Sequence, residues 1–380
     1  MNILFINHMG FLGGGEKSML ALMKGLKETG KYSTSLLAPE GELLNCAREN
    51  GHKTVSFDFG QVRRSYNPGV WLKGLWRLIT GIKEMEQVIR ANQIDLVHAN
   101  SLKSALMGGT AARRTKCPMI FHTRDYLSAG LFGKLLVHRA YQLAAMVIVN
   151  SLSVTKVYGS DPGEKVVVVY NHVPSPEKLT SVKREKLRLN NGISDKQPLI
   201  GFVGRLHPDK DIETLLKGFK FILKSIPKAS LWIVGGTMPG EEKYRKQLEE
   251  YAAKLEVSDK VLFFGWRKDA TELMACFDML VVPSIKEPFG RVTVEAMMLG
   301  IPVAATASGG TLEIIGNNRT GLLFPPGDSR QLAEKCLEII SDPEKTNRMT
   351  HLAKSEVERK FSAENYIGGV QKVYDSLTGK

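Results

Sequence analysis

The sequence predicts an α/β protein of two doubly wound domains, each a parallel sheet with helices on both faces. Three observations carry that prediction. Short runs of branched apolar residues are continuous rather than alternating, as strands covered on both faces require. Longer stretches with helical apolar spacing separate them, the arrangement of repeated strand–helix units. The pattern also runs twice. It breaks off in a proline-rich, charged stretch at 172–198 and restarts at Leu199, and 380 residues are too many for one compact core.

In chain order, the first half places strands at Asn2–Asn7, Ser33–Leu37, Leu96–His98, Met119–Thr123, Met146–Asn150 and Val166–Tyr170. The second half places them at Leu199–Val203, Ser230–Val234, Val261–Phe264, Met279–Val282, Val303–Ala305 and Gly321–Phe324. Helical spacing falls at Lys17–Thr29, Ile212–Ser225, Lys243–Leu255, Arg291–Leu299 and Arg330–Ile340. The expected division is a first domain at 1–172 and a second at 173–362. The closing stretch Ala363–Leu377 has Tyr366, Ile367, Val370, Val373, Tyr374 and Leu377 at helical spacing and is expected to pack back on the first domain.

Apolar residues at 43% and charged residues at 24% make an ordinary globular mixture and exclude a disordered chain. Cys46, Cys117, Cys276 and Cys336 are scattered, with no CxxC and no clustered histidines. That excludes a disulfide framework or zinc site and suits a reducing cytosol; no metal or cofactor is expected. No apolar run of about 18 residues is present, so no spanning helix is expected. Met1–Asn7 lacks a signal peptide's basic region and long apolar stretch, and reads as a first strand.

The net charge of +13 is unevenly spread: residues 1–190 carry 26 Lys and Arg against 14 Asp and Glu, whereas 191–380 carry 26 against 25. A basic first half suits a membrane surface, a polyanionic acceptor or nucleic acid, and a merely solubilising surface is the plain alternative. No helix-turn-helix, aromatic RNA motif or zinc finger supports nucleic acid.

Three segments carry chemistry. The first is Asn7–Glu16, with Gly10, Gly13, Gly14 and Gly15, between a strand and a helix; glycines there let backbone approach a ligand, and the helix start offers free N–H groups. It is no phosphate loop of the Walker type, because Glu16 stands where the lysine must come, and GxGxxG is absent. A plain tight turn is the rival reading. The second is Gly204-Arg205-Leu206-His207-Pro208-Asp209-Lys210, which leaves the first strand of the second domain. Arg205 and Lys210 can together meet a diphosphate without a metal. The third is Pro283 to Met297, following the apolar strand Met279–Val282, with Glu287-Pro288-Phe289-Gly290-Arg291 opening a helix that carries Glu295. A strand's C-terminal end is where α/β sheets bind ligands. There Glu287 can accept from sugar hydroxyls, the loop amides and helix dipole face a phosphate, and Glu295 meets a ribose.

On these residues the chain resembles the family 4 glycosyltransferases of the GT-B fold, whose signature is the E-x7-E element seen here from Glu287 to Glu295. Gly13-Gly14-Gly15-Glu16 resembles the family's N-terminal ligand loop, and Asp95–Asn100 its D-x-V-H segment. Gly204-Arg205 with Lys210 resembles its G-R-x4-K clamp. Val234-Gly235-Gly236, Phe264-Gly265-Trp266 and Ser308–Glu313 resemble segments of the donor domain.

The resemblance implies a retaining, metal-independent enzyme whose second domain holds a UDP- or GDP-linked sugar and whose first holds the acceptor, with the reaction in the cleft. Arg205 and Lys210 would neutralise the diphosphate, Glu287 would hold the donor sugar, and Glu295 the ribose. Gly14, Gly15, Gly204, Gly235, Pro288, Phe289, Gly290 and Arg291 would line the donor, with Trp266 near the base. His122, in Ile120–Asp125, resembles a family histidine that contacts the donor sugar. Some relatives place the histidine directly before the Asp, where this chain has Arg124, so Arg124 is a second candidate. His98, Arg124 and Asp125 stand on the acceptor side, and His98 reads equally as a core residue.

The acceptor is the least legible part. Gly69–Ile94 mixes Trp71, Trp76, Leu78 and Ile79 with Lys73, Arg77 and Lys83, and suits either the domain core or a membrane interface. Tyr126–Tyr141, with Leu131, Phe132, Leu135, Lys134 and Arg139, is a second such stretch. Together with the charge they give the expectation of a cytoplasmic enzyme, peripheral on an anionic membrane, acting on a glycan or lipid-linked acceptor. A nucleotide-sugar epimerase, a sugar phosphorylase or a non-catalytic nucleotide-sugar binder of the same fold is the alternative.

Overall fold

The computed structural model describes residues 1–60, 68–127, 130–194, 197–238, 240–316 and 318–378, with side chains at all of these except 68–73, 75 and 378. Two compact units emerge. One comprises Met1–His172 with Ala363–Lys380, and the other Val173–Ser362.

In the first unit the strands are β1 (Asn2–Ile6), β2 (Ser33–Ala38), β3 (Lys53–Ser56), β4 (Leu96–Ala99), β5 (Met119–Thr123), β6 (Met146–Val149) and β7 (Val166–Val168). Between them lie α1 (Gly14–Glu28), α2 (Glu42–Glu49), α3 (Pro68–Ala91), α4 (Leu102–Arg114), α5 (Leu131–Leu143) and α6 (Leu152–Thr155). The second unit contains α7 (Ser181–Asn190), β8 (Leu199–Val203), α8 (Ile212–Ser225), β9 (Ser230–Val234), α9 (Glu242–Lys254), β10 (Val261–Gly265), α10 (Ala270–Met274), β11 (Met279–Val282), α11 (Arg291–Leu299), β12 (Val303–Thr306), α12 (Thr311–Ile314), β13 (Leu322–Phe324), α13 (Ser329–Ser341) and α14 (Pro343–Lys360). The last helix, α15 (Ala363–Thr378), belongs to the first unit.

The first sheet has the order β3-β2-β1-β4-β5-β6-β7 and the second β10-β9-β8-β11-β12-β13. Every pairing in both is parallel. These are two Rossmann-like doubly wound sheets, the class the continuous apolar runs predict. Each reverses its order once, at β1/β4 and at β8/β11. There two loops leave in opposite directions and open a ligand crevice at the strands' C-terminal ends.

Alternation along each strand sorts the first unit's core into two layers. Leu4, Ile6, Val97 and Phe121 face α3, α4 and α5, through residues such as Met85, Met107 and Ala140. Ile3, Phe5, Leu96 and Ile120 face α1, α2 and α15, through Leu22, Leu44 and Val370. In the second unit Phe202, Phe219, Leu231 and Val281 belong to one core layer, and the alternate strand residues Trp232, Leu280 and Val303 are buried outside it.

Strand β3 is not predicted. Its sequence Lys53-Thr54-Val55-Ser56 carries one apolar residue and runs along the sheet edge, exposed at both ends, so no buried face writes a pattern. In the stretch 69–94, Ile82, Met85 and Ile89 enter the core, whereas Trp76 is 67% exposed. The side chains of Trp71 and Lys73 lie outside the described residues.

Candidate active site

The second unit brings the exits of β8 and β11 side by side at its switch point. Ile285 N donates to Asp209 O at 3.0 Å, and Lys286 lies 3.6 Å from the Asp209 carboxylate, which tie the two loops together. At their meeting Lys210 Nζ lies 2.6 Å from Glu287 Oε2. Two residues assigned to different parts of a ligand are therefore ion-paired with each other, and Glu287 is 8% exposed. Such a pair presets both groups, and the ammonium keeps further donors. Arg205, in contrast, is exposed and makes no ion pair among the described residues.

The E-x7-E loop is held from behind. Gly310 N donates to Glu287 O at 2.8 Å, and a Cβ on Gly310 would stand 2.6 Å from Phe289 O, so the loop after β12 must be bare at that point. Phe289 is buried against Phe361, ring centroids 5.3 Å apart. Gly290 precedes α11 in the left-handed region and brings no capping side chain to the positive end of that helix. One turn on, Glu295 accepts from Arg291 Nε at 2.8 Å. A ribose hydroxyl reaching Glu295 would share it with this guanidinium.

Gly235, at the exit of β9, has φ +135 and would place a Cβ 1.9 Å from Gly204 O. Only glycine permits this approach, which Leu206 N → Gly236 O (2.9 Å) and Gly235 N → Gly265 O (2.9 Å) then fix. Gly235→Ala is expected to destabilise the unit by about 2–3 kcal/mol, because Gly204 and Arg205 must move; urea unfolding checks this. Trp266, beyond β10, is 63% exposed and donates Nε1–H to Thr237 O at 2.9 Å, so its ring face stands in solvent at a fixed angle.

In the first unit, the start of α1 and the ends of β4 and β5 converge. Gly13 precedes α1 with no side-chain cap, and a Cβ on Gly15 would lie 3.5 Å from Arg124 Cδ. Arg124 thus sits beside the first turn of α1. Its guanidinium donates to Asn171 Oδ1, to Asn100 Oδ1 at 3.4 Å and to Tyr366 Oη at 2.9 Å, with His122 Nδ1 at 3.2 Å. All four partners are neutral, and Arg124 makes no ion pair among the described residues. Asp125 is exposed and accepts from Tyr126 N.

His122 is wholly buried: it alternates with Phe121 and points to the same side of the sheet as Ile120, into the α1/α15 layer. The polar side chain that emerges beyond β5 is that of Arg124. His98 is also wholly buried, with Nδ1 2.7 Å from Tyr374 Oη and Nε2 3.0 Å from His122 Nδ1.

Proton accounting fixes this chain. An arginine can only donate, so His122 Nδ1 accepts and its proton stands on Nε2. His98 Nε2 facing that nitrogen must carry a proton too, so His98 Nδ1 accepts from Tyr374 O–H. The result is a one-way relay from Tyr374 through His98 to His122, whose Nε2–H has no partner. Tyr374→Phe removes its first donor and is expected to let the His98 tautomers mix, which ¹⁵N NMR of the imidazoles reads. Tyr366 and Tyr374, legible in the sequence only as packing residues of a helix, are the members that sequence reasoning missed.

Burial, then the Arg124 charge, holds both rings far below the ordinary histidine range, with His98 adding to the shift on His122. His8 is lowered to about 4 by burial and by Lys103. Below about pH 6.5 the unfolded chain takes up protons that these folded rings refuse. Stability is therefore full above that pH and falls as pH drops, by about 1.4 kcal/mol per pH unit for each ring. Chemical denaturation at pH 7.5, 6 and 5 measures the slope.

The family model described as Glycosyltransferase Family 4 matches residues 12–175, and that described as Glycosyl transferases group 1 matches 183–356. The N-acetyl-alpha-D-glucosaminyl L-malate synthase of Bacillus anthracis is 27% identical over 56% of this chain and 54% of its own length. The capsular polysaccharide biosynthesis glycosyltransferase CapM of Staphylococcus aureus is 24% identical over 74% of this chain and 77% of its own. The crystal structure of Anabaena HepE in complex with UDP-glucose superposes with a TM-score of 0.83 at 25% identity, covering 100% of both chains. With two Rossmann-like sheets of the GT-B type and both halves matched by sequence, the chain belongs to the family 4 glycosyltransferases and is a glycosyltransferase enzyme.

Proposed function

We propose that the chain transfers a hexose from UDP to a glycan or lipid-linked acceptor, with retention of anomeric configuration and without a metal ion. The observation that carries this reading is the grouping of Arg205, the Lys210–Glu287 pair and the uncapped start of α11 at one switch point. That is two cations and a helix dipole for a diphosphate, beside a carboxylate for sugar hydroxyls. HepE, solved with UDP-glucose, favours uridine over guanosine as the base. In this reading Glu295 takes the ribose, the Phe289 and Gly290 amides the phosphates, and Trp266 the base. The first unit takes the acceptor, with Arg124 and Asp125 at the end of β5.

No carboxylate in the chain is assigned as a nucleophile, so the transfer runs on one face of the sugar. The bond from the anomeric carbon to the diphosphate oxygen breaks as the acceptor oxygen bonds to the same face. The acceptor's hydroxyl proton passes to the departing phosphate oxygen. Arg205 and Lys210 stabilise the charge that builds there.

A thermal-shift screen of UDP, GDP, UDP-glucose and GDP-mannose tests the donor. A ligand at about 100 times its Kd adds about 2.7 kcal/mol to stability. UDP and its sugar are expected to raise the melting temperature and the guanosine compounds not. A guanosine-only response would reverse the base, and no response would remove the reading.

A further inference from the structure

The exposed apolar residues of the first unit are not scattered. Among the described residues eight large ones are at least one-third exposed, and all but Phe11 and Leu152 lie on two helices of one side of the sheet. Six are on α3 and α5: Trp76, Leu78, Ile79, Leu131, Phe132 and Leu135, with Leu131 at 88%, Phe132 at 72% and Leu135 at 63%. None is on α1, α2 or α15, which cover the opposite side. The charges follow the same division. From Gly74 onward, α3, α4 and α5 together carry eight Lys and Arg against two Glu, whereas α1, α2 and α15 carry five against six acidic residues. Helix α5 has no acidic residue, and its apolar first turn holds Lys134 with Arg139 one turn on.

We infer that the α3/α4/α5 side of the first unit is the docking face for an anionic lipid bilayer, with the first turn of α5 inserted among the headgroups. An interfacial element needs apolar side chains free to leave water and cations beside them to meet lipid phosphates. A soluble anionic glycan would use the cations but gains nothing from bare leucines. A protein partner would be met by no comparable excess of one charge across three helices. The inference rests on the proposed lipid-linked acceptor only for its purpose, since the face would bring the first unit to where such a carrier lies.

The test is flotation of the full chain with vesicles of phosphatidylcholine containing phosphatidylglycerol, against phosphatidylcholine alone. Binding is expected to the anionic vesicles only, weakened by raised salt. The triple variant L131S/F132S/L135S changes only surface residues and is expected to melt as the wild type does, while binding vesicles at least about tenfold less well. The variant K24E/K372E, on the opposite side, is expected to bind unchanged. Absence of binding to anionic vesicles at low salt overturns the inference. So does a triple variant that binds as well as the wild type, or an equal loss in K24E/K372E. A wild-type dimer that the triple variant dissolves would assign the face to a second copy instead. The UDP melting shift on the same preparation separates the two readings: it survives if only the docking face is wrong, and is absent if the donor reading is wrong.

Discussion

Arg205→Ala is expected to lower kcat by about 10²–10³-fold while moving the melting temperature by no more than about 1 °C. The magnitude is that of removing one preorganised donor from a developing oxyanion. The insensitivity of the fold follows from placement: Arg205 is exposed and leaves no partner stranded among the described residues. Lys210 would not give so clean a result, because its removal leaves the Glu287 carboxylate, 8% exposed, without its 2.6 Å partner. Part of that loss would be the cost of removing an ammonium from a buried carboxylate rather than of chemistry. Steady-state rates and a melting curve on the same Arg205→Ala sample check the expectation. A variant with unaltered turnover would remove Arg205 from the diphosphate.

The largest expected effect on stability is far from any substrate. Arg188→Met is expected to cost about 2–4 kcal/mol, from the loss of several charge-assisted hydrogen bonds of a wholly buried guanidinium at once. Arg188 is wholly buried on α7, donating to Cys276 O at 2.8 Å, Asp278 Oδ2 at 3.2 Å and Ser194 O at 3.2 Å, and to Gln197 O. The Asp278 carboxylate also receives Arg184 at 2.7 Å and Leu199 N at 2.8 Å. Methionine fills much of the volume but takes a donor from Gln197 O and one of two donors from each of Cys276 O and Ser194 O. Arg184 is 30% exposed at its side chain and shares the same carboxylate, so Arg184→Met is expected to cost less, about 1 kcal/mol. Urea unfolding of both variants gives the comparison.

These two residues show what a linear sequence carries. Strands such as Leu199–Val203, Ser230–Val234 and Met279–Val282 are legible to the residue because both faces of a parallel strand are buried, so the run is apolar throughout. Helix Ile212–Ser225 is equally plain: Asp211 caps it by accepting from Thr214 N, and its apolar side repeats through Leu215, Leu216 and Phe219. Strand β3 fails the same test because an edge strand with two exposed ends has no such run. Arg188 reads in sequence as one more cation on a charged surface helix. Its burial depends on carbonyls near 276 and on Asp278, about 90 residues away, which no local pattern announces.

The site divides the same way. Residues at the ends of strands can be named as soon as the strands are, which is how Arg205, Lys210 and Glu287 come to notice; Arg124 comes through the resemblance of Ile120–Asp125. What they touch is a matter of tertiary structure. Lys210 and Glu287 are 77 positions apart and meet because β8 and β11 are neighbours at the switch point. The direction of His122 hangs on strand parity, and Tyr374, which bonds the His98 ring beside it, comes from a helix 276 positions beyond His98.

The most direct measurement is a calorimetric titration of UDP into the wild type and into Arg205→Ala, both in excess EDTA. UDP is expected to bind the wild type without any divalent metal and the variant at least about tenfold more weakly, through loss of a charge-assisted contact to phosphate. Binding that requires added Mg²⁺ or Mn²⁺, or equal affinity in the two proteins, would contradict this.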